Sequence, residues 1–147
     1  MINYHDRVLK VVKETHLQDI LDFITNDKKE IYFIGGTSRA IILDEYYSND
    51  IDIVIPDFDD KLVEGLSKKF EIKYFPSYKS IAIKTNDFDY QINSFRKDIQ
   101  STGRHSKVTS TRSIKEDAER RDFTFNSVYI NLLGAVSYTH LTLPTKA

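Results

Sequence analysis

The chain has 147 residues, with 21 Lys+Arg against 22 Asp+Glu for a formal net charge of −1, and no cysteine. That length suits one domain with a real core, while the charge balance excludes a chain-wide basic field for nucleic acid and leaves room only for a local patch. The missing cysteine excludes disulfides and thiolate metal sites, and with no long apolar run and no signal-peptide pattern a soluble cytoplasmic protein is the default, with no membrane partner.

Taken in order, residues 1–14 mix charge with Val8, Val11 and Val12 and start a helix. Across 16–24, Leu17, Ile20, Leu21 and Ile24 recur at helical spacing as one apolar stripe. Residues 26–30 form a charged turn into an apolar, β-prone strand at 31–34. Gly35-Gly36 breaks that strand where the backbone turns tightly or approaches something closely. Residues 38–43 have helical character, 46–49 are polar, and Asp50-Ile51-Asp52-Ile53-Val54-Ile55 reads as a second strand.

On a strand, residues i and i+2 share a face, so Asp50 and Asp52 point one way while Ile51 and Ile53 enter the core. Two carboxylates beside a glycine turn and a helix N-terminus suit a divalent cation and a polyphosphate. The turn N–H groups and the helix dipole favour anions, and Mg²⁺ takes oxygen ligands while bridging to phosphates. A lone Gly-Gly or a lone D-x-D is ordinarily a turn or a solvated strand edge. Their order on strand, turn, helix and strand gives the pair its meaning.

Beyond Pro56, the Asp57–Asp60 cluster reads as a turn with capping residues before a helix through Leu62, Val63, Leu66 and Phe70. Residues 72–75 and 80–85 are two strands joined around Pro76-Ser77, and 88–95 is another, with Phe88, Tyr90 and Ile92 alternating against Asp89, Gln91 and Asn93. The polar segment 96–111 reads as a mobile surface loop. Ser113-Ile114-Lys115-Glu116 has the form of a capping box opening a helix, and 123–133 reads as a second helix.

Gly35-Gly36-Thr37-Ser38-Arg39, Asp50-Ile51-Asp52 and Glu116-Asp117-Ala118-Glu119-Arg120-Arg121-Asp122-Phe123-Thr124-Phe125-Asn126 together resemble three motifs of one family. It is the head domain of class II tRNA nucleotidyltransferases (CCA-adding enzymes) and bacterial poly(A) polymerases, whose motifs read G-G-x-x-R-D, D-x-D and E-D-x-x-R-R-D-F-T-I-N. The resemblance implies an α/β (α+β) polymerase-β-like nucleotidyltransferase fold, a small, mixed, mainly antiparallel sheet backed by helices. It implies transfer of a nucleotide from CTP or ATP to the 3′-hydroxyl of tRNA or another RNA, with pyrophosphate leaving. Two Mg²⁺ ions roughly 3.5–4 Å apart would clamp the attacking and leaving oxygens. Asp50 and Asp52 match the catalytic, metal-binding pair. Gly35, Gly36 and Arg39 match residues that hold the nucleotide, Arg39 by its planar fork. Arg121 matches a nucleotide-contacting arginine, and Asp122 and Asn126 match neighbours that orient that loop, Asn126 counting with the nucleotide-binding set.

Three departures stand out. Ala40 replaces the usual aspartate after G-G-x-x-R, and Gln91 stands where many relatives place a third carboxylate, with Asp89 two residues earlier as a partial substitute. The third is that the neck, body and tail that select CTP or ATP and grip tRNA in the family are expected to be absent from this chain. The head is expected over 1–134, truncated before the neck, and 135–147 as a tail unlike the family, read as foreign sequence or, second, as a native β-prone tail. Two other functions stay open: a stand-alone minimal nucleotidyltransferase acting on another substrate, and an inactive binding module of the same fold.

Overall fold

The computed structural model describes residues 3–102, 105–119 and 128–138. Helix α1 (His5–Glu14) and the single turn α2 (Gln18–Leu21) come first, followed by a 3₁₀ turn over Lys28–Glu30. Then come strand β1 (Tyr32–Phe33), helix α3 (Gly35–Leu43), strand β2 (Asp50–Ile55) and helix α4 (Asp60–Ser67). Strands β3 (Glu71–Phe75), β4 (Ser80–Lys84) and β5 (Asp89–Ser94) follow, then β6 (Arg96–Thr102), β7 (His105–Ser110), helix α5 (Ile114–Glu119), β8 (Val128–Asn131) and β9 (Val136–Tyr138).

Seven strands form one sheet in the order β3-β4-β5-β2-β1-β8-β9. The pairing is mainly antiparallel, as expected, with β2 and β5 parallel at the centre. The strand β2 connects to β5 through α4 and the β3–β4 hairpin, a connection long enough to return the chain in the same direction.

Alternation along β2 divides the two faces of the sheet. Ile51, Ile53 and Ile55 enter the main core with Val8 and Val11 of α1, Ile20 and Leu21 of α2, and Leu62 and Leu66 of α4. Burying each such side chain contributes roughly 1.5–3 kcal/mol. On the other face, Val54 joins Ile34, Phe95, Ala118 and Tyr129 in a smaller cluster under α5. This second cluster covers one end of β2 and leaves the Asp50 end of that face uncovered by it.

Two contacts brace the frame. Arg7 of α1 donates from Nη1 to the carbonyls of Ile41 (2.9 Å) and Ile42 (3.0 Å), satisfying the C-terminal end of α3 and complementing its dipole. Gly134, at φ +86°, lies so close to α1 that an added Cβ would stand 2.2 Å from the backbone nitrogen of His5. Its carbonyl accepts the Tyr4 N–H at 3.0 Å, which ties the β8–β9 turn to the start of the chain.

Three sequence expectations change. Helix α3 starts at Gly35, three residues before the apolar pattern suggests, with Ile34 as an extended N-cap. The segment read as a loop over 96–111 pairs instead as the antiparallel ribbon β6–β7, with a register shift between Asp98 and Gln100. Its order comes from backbone pairing of Ser, Thr, Val and Lys rather than from apolar periodicity. The expected helix at 123–133 gives way, where it is described, to β8 over Val128–Asn131, with residues 123–127 outside the described residues. All four β8 residues are buried between β1 and β9, so the run has no helical or alternating signature to separate the two.

Candidate active site

The site forms where α3 begins over the N-terminal half of β2. Ile34, the N-cap of α3, is extended and its side chain makes no capping bond. An N-terminus with no side-chain cap presents backbone N–H groups and the positive end of a dipole to an anion. Gly35 adopts φ +60°, and an ideal Cβ there would lie 3.6 Å from Oδ2 of Asp52. The helix start and the Asp52 carboxylate are therefore close neighbours. At Gly36 an added Cβ would meet nothing within 4 Å, so its glycine is not demanded by packing. Open space over a glycine at a helix N-terminus is room for a ligand to reach the backbone.

Thr37 is buried and joins the helix to the aspartate strand. Its hydroxyl donates to the Asp50 carbonyl at 3.5 Å and accepts the Asp52 N–H at 3.3 Å. Ser38, also buried, donates to the Gly35 carbonyl at 2.9 Å. Arg39 is exposed one turn beyond the glycines, and Ala40 is buried in the wall. Asp50 is exposed and Asp52 half-buried, both on the face opposite Ile51 and Ile53.

Parallel register sets Asp50 beside Asp89 and Asp52 beside Gln91. Gln91 is exposed and donates from Nε2 to Ser80 Oγ at 3.1 Å, and Ser80 donates onward to Asn93 Oδ1 at 2.8 Å. Among the described residues no group of three or more His, Cys, Asp or Glu side chains could hold a metal ion. Asp89 therefore does not complete a carboxylate triad with Asp50 and Asp52. What the site offers is two hard carboxylates beside a helix N-terminus that carries no side-chain cap. That set fits Mg²⁺, which commonly takes one or two carboxylates together with waters and substrate phosphates.

The structure brings Gly35, Gly36, Asp50 and Asp52 together, with Arg39 on the same short helix. Arg121, Asp122 and Asn126 lie outside the described residues. Sequence reasoning missed Thr37, whose only signal was a small polar residue inside the glycine motif. It also missed the role of Asp117, fully buried in α5. Its carboxylate accepts the Arg96 N–H at 2.8 Å and the Tyr129 hydroxyl at 2.6 Å.

A mixed sheet that sets paired strand aspartates against a glycine-opened helix N-terminus defines a nucleotidyltransferase-type head. The family model for the poly A polymerase head domain matches residues 31–140, and the chain belongs to that family. The match ends inside the stretch 135–147 that the sequence sets apart. A CCA-adding enzyme of Streptococcus uberis is 34% identical over 109 residues, 73% of this chain and 26% of that protein. One of Listeria monocytogenes serotype 4a is 30% identical over 111 residues, 74% of this chain and 28% of that protein. The chain thus spans little more than a quarter of the length of these curated relatives.

Solved structures agree on the fold. The apo form II of a CCA-adding enzyme superposes with a TM-score of 0.72 at 19% identity, covering 93% of this chain and 34% of that one. The Bacillus stearothermophilus CCA-adding enzyme in complex with CTP gives a TM-score of 0.60 at 23% identity, covering 85% and 28%. Among the described residues no helix is long and apolar enough to cross a membrane.

Proposed function

We propose that this domain is the catalytic head of a tRNA CCA-adding or poly(A)-adding enzyme, using Mg²⁺ to transfer a nucleotide from CTP or ATP to an RNA 3′-hydroxyl. The observation that carries the reading is the open space over Gly36 at the N-terminus of α3, with Asp52 beside that helix start and Asp50 on the same strand face. Phosphate oxygens meet the backbone N–H groups of the first α3 turn and the Arg39 guanidinium. Asp50 and Asp52 hold the cation, which when bound neutralises phosphate charge and polarises the reacting oxygens. The RNA 3′-oxygen forms a bond to the α-phosphorus and gives up its proton to water. The bond from the α-phosphorus to the bridging oxygen breaks, and pyrophosphate leaves with that electron pair. Arg121 and Asn126 complete the nucleotide-binding set in this reading. The head is taken to span 1–134 and to work in the cytoplasm.

The test is incorporation of label from α-³²P-ATP and α-³²P-CTP into a tRNA lacking its 3′ end, with and without Mg²⁺. Metal-dependent labelling, lost in Asp50→Ala and Asp52→Ala, supports the reading, and the nucleotide that enters separates CCA addition from A-only addition. Mg²⁺-dependent NTP binding without labelling means a nucleotide site that needs more protein to hold RNA. Absence of both overturns the catalytic reading. Gln91 in place of a carboxylate favours a second reading, an inactive binding module, and that last outcome is what it forecasts.

A further inference from the structure

We propose that the adjacent carboxylates Glu116 and Asp117 are positioning residues, anchoring both feet of the β6–β7 ribbon to α5 and so coupling the ribbon to the nucleotide site. The ribbon leaves the sheet at Arg96 and returns at Ser110, just before Thr111. Asp117 receives the first foot, accepting the Arg96 backbone N–H at 2.8 Å. Glu116 receives the second, accepting the Thr111 hydroxyl. The two feet also meet each other, because the Thr111 N–H donates to the Phe95 carbonyl at 3.2 Å.

The helix end is built into the same cluster. Thr111 Oγ1 accepts the Ser113 N–H at 3.1 Å, and Ser113 Oγ accepts the Glu116 N–H at 3.2 Å. The expected capping box is thus closed through Thr111, which links the cap of α5 to the ribbon. On its other side, Asp117 accepts from Tyr129 of β8 at 2.6 Å, so one buried carboxylate spans ribbon, helix and sheet.

Burying a carboxylate is costly unless its oxygens are satisfied, and the partners here lie 21 and 12 residues away in sequence. A residue needed only to fill the small cluster under α5 would be apolar, like its neighbour Ala118. Ala118 of α5 and Tyr129 of β8 pack in one cluster with Ile34, the N-cap of α3, and Val54 of β2. A displacement of the ribbon is therefore passed through that cluster to the start of α3 and to the aspartate strand. The functional half of this inference rests on the nucleotide-transfer reading above, whereas the mechanical half does not.

Because the chain has no cysteine, Ser101→Cys in β6 and Lys84→Cys in β4 give a clean pair for nitroxide labels. The distance distribution between them is expected to be narrow. It broadens in Glu116→Ala, Thr111→Val and Asp117→Leu, and stays narrow in Glu116→Gln, which keeps an acceptor for Thr111. In parallel, the affinity for a fluorescent Mg²⁺–ATP analogue falls about tenfold in the three broadening variants and not in Glu116→Gln, within the usual range for coupling between two sites. Circular dichroism checks folding, and Thr111→Val serves if Asp117→Leu does not fold. Unchanged distances in folded Glu116→Ala and Thr111→Val overturn the anchor. Broadened distances with unchanged nucleotide affinity overturn the positioning role. If the unmutated chain binds no Mg²⁺–ATP, the nucleotide reading and the positioning role fail together, and the label distances still decide the anchor.

Discussion

The Thr37 hydroxyl accepts the Asp52 N–H at 3.3 Å while donating to the Asp50 carbonyl at 3.5 Å, so one buried side chain of α3 holds the backbone of both site aspartates. Thr37→Val keeps the volume and removes both bonds. Its expected cost is about 1 kcal/mol for each hydrogen bond with a buried partner left unpaired. Urea unfolding checks the stability, and a Mg²⁺–ATP titration should show weaker binding than in Thr37→Ser, which restores the hydroxyl.

The two glycines should separate under the same substitution. Gly36→Ala has open space for its Cβ and no positive φ, so the fold should tolerate it and gain up to about 0.4–1 kcal/mol from a less flexible unfolded chain. Nucleotide affinity should nevertheless drop, because the methyl fills the room a phosphate would use. Gly35→Ala meets φ +60° and should lose about 1–2 kcal/mol of stability whether or not a ligand binds. Thermal melts with and without Mg²⁺–ATP distinguish the two. A Gly36→Ala protein whose melting temperature rises with nucleotide as much as the parent's would remove the ligand argument from that position.

How far the sequence could be read follows from what each element rests on. The Asp50-Ile51-Asp52-Ile53 alternation was legible because β2 has one core face and one site face, and period two records that split. The run at Val128–Asn131 is buried on both faces and records nothing of the kind. The β6–β7 ribbon is held by backbone pairing that composition does not encode. The family resemblance found Gly35, Gly36, Asp50 and Asp52 as a group. It could not show that Asp117 binds Arg96 and Tyr129, because those contacts exist only after the sheet has closed.

An alkaline transition should report the loop before β2. Tyr47 donates to Glu14 at the end of α1, and burial, with that carboxylate as hydrogen-bond partner and neighbouring charge, pushes its phenol up to about 12. A phenol whose folded value is raised above the usual 10 contributes stability that is complete below pH 10 and is lost as pH climbs toward 12. Tyr47→Phe should therefore flatten part of the fall in melting temperature across that window. Tyr90, also raised by burial and bonded to the Thr15 carbonyl, should leave a residual slope in that variant. An unaltered alkaline slope in Tyr47→Phe would show that the Tyr47–Glu14 contact does not persist in solution.

Gln91 offers a direct test of the proposed cation site. It sits across from Asp52 in register, with its amide committed to Ser80 at 3.1 Å. Gln91→Glu places a third carboxylate beside the first two and replaces the amide donor to Ser80 with an acceptor. Without metal, the added like charge should lower stability, by roughly 0.2–1 kcal/mol for neighbouring strand positions. With Mg²⁺ the order should reverse, because a third hard oxygen ligand raises affinity for the cation. Melting temperature followed against Mg²⁺ concentration should show curves for Gln91→Glu and the parent that cross, with the midpoint of Gln91→Glu at lower Mg²⁺. If the two curves stay parallel, Gln91 does not face a cation held by Asp50 and Asp52.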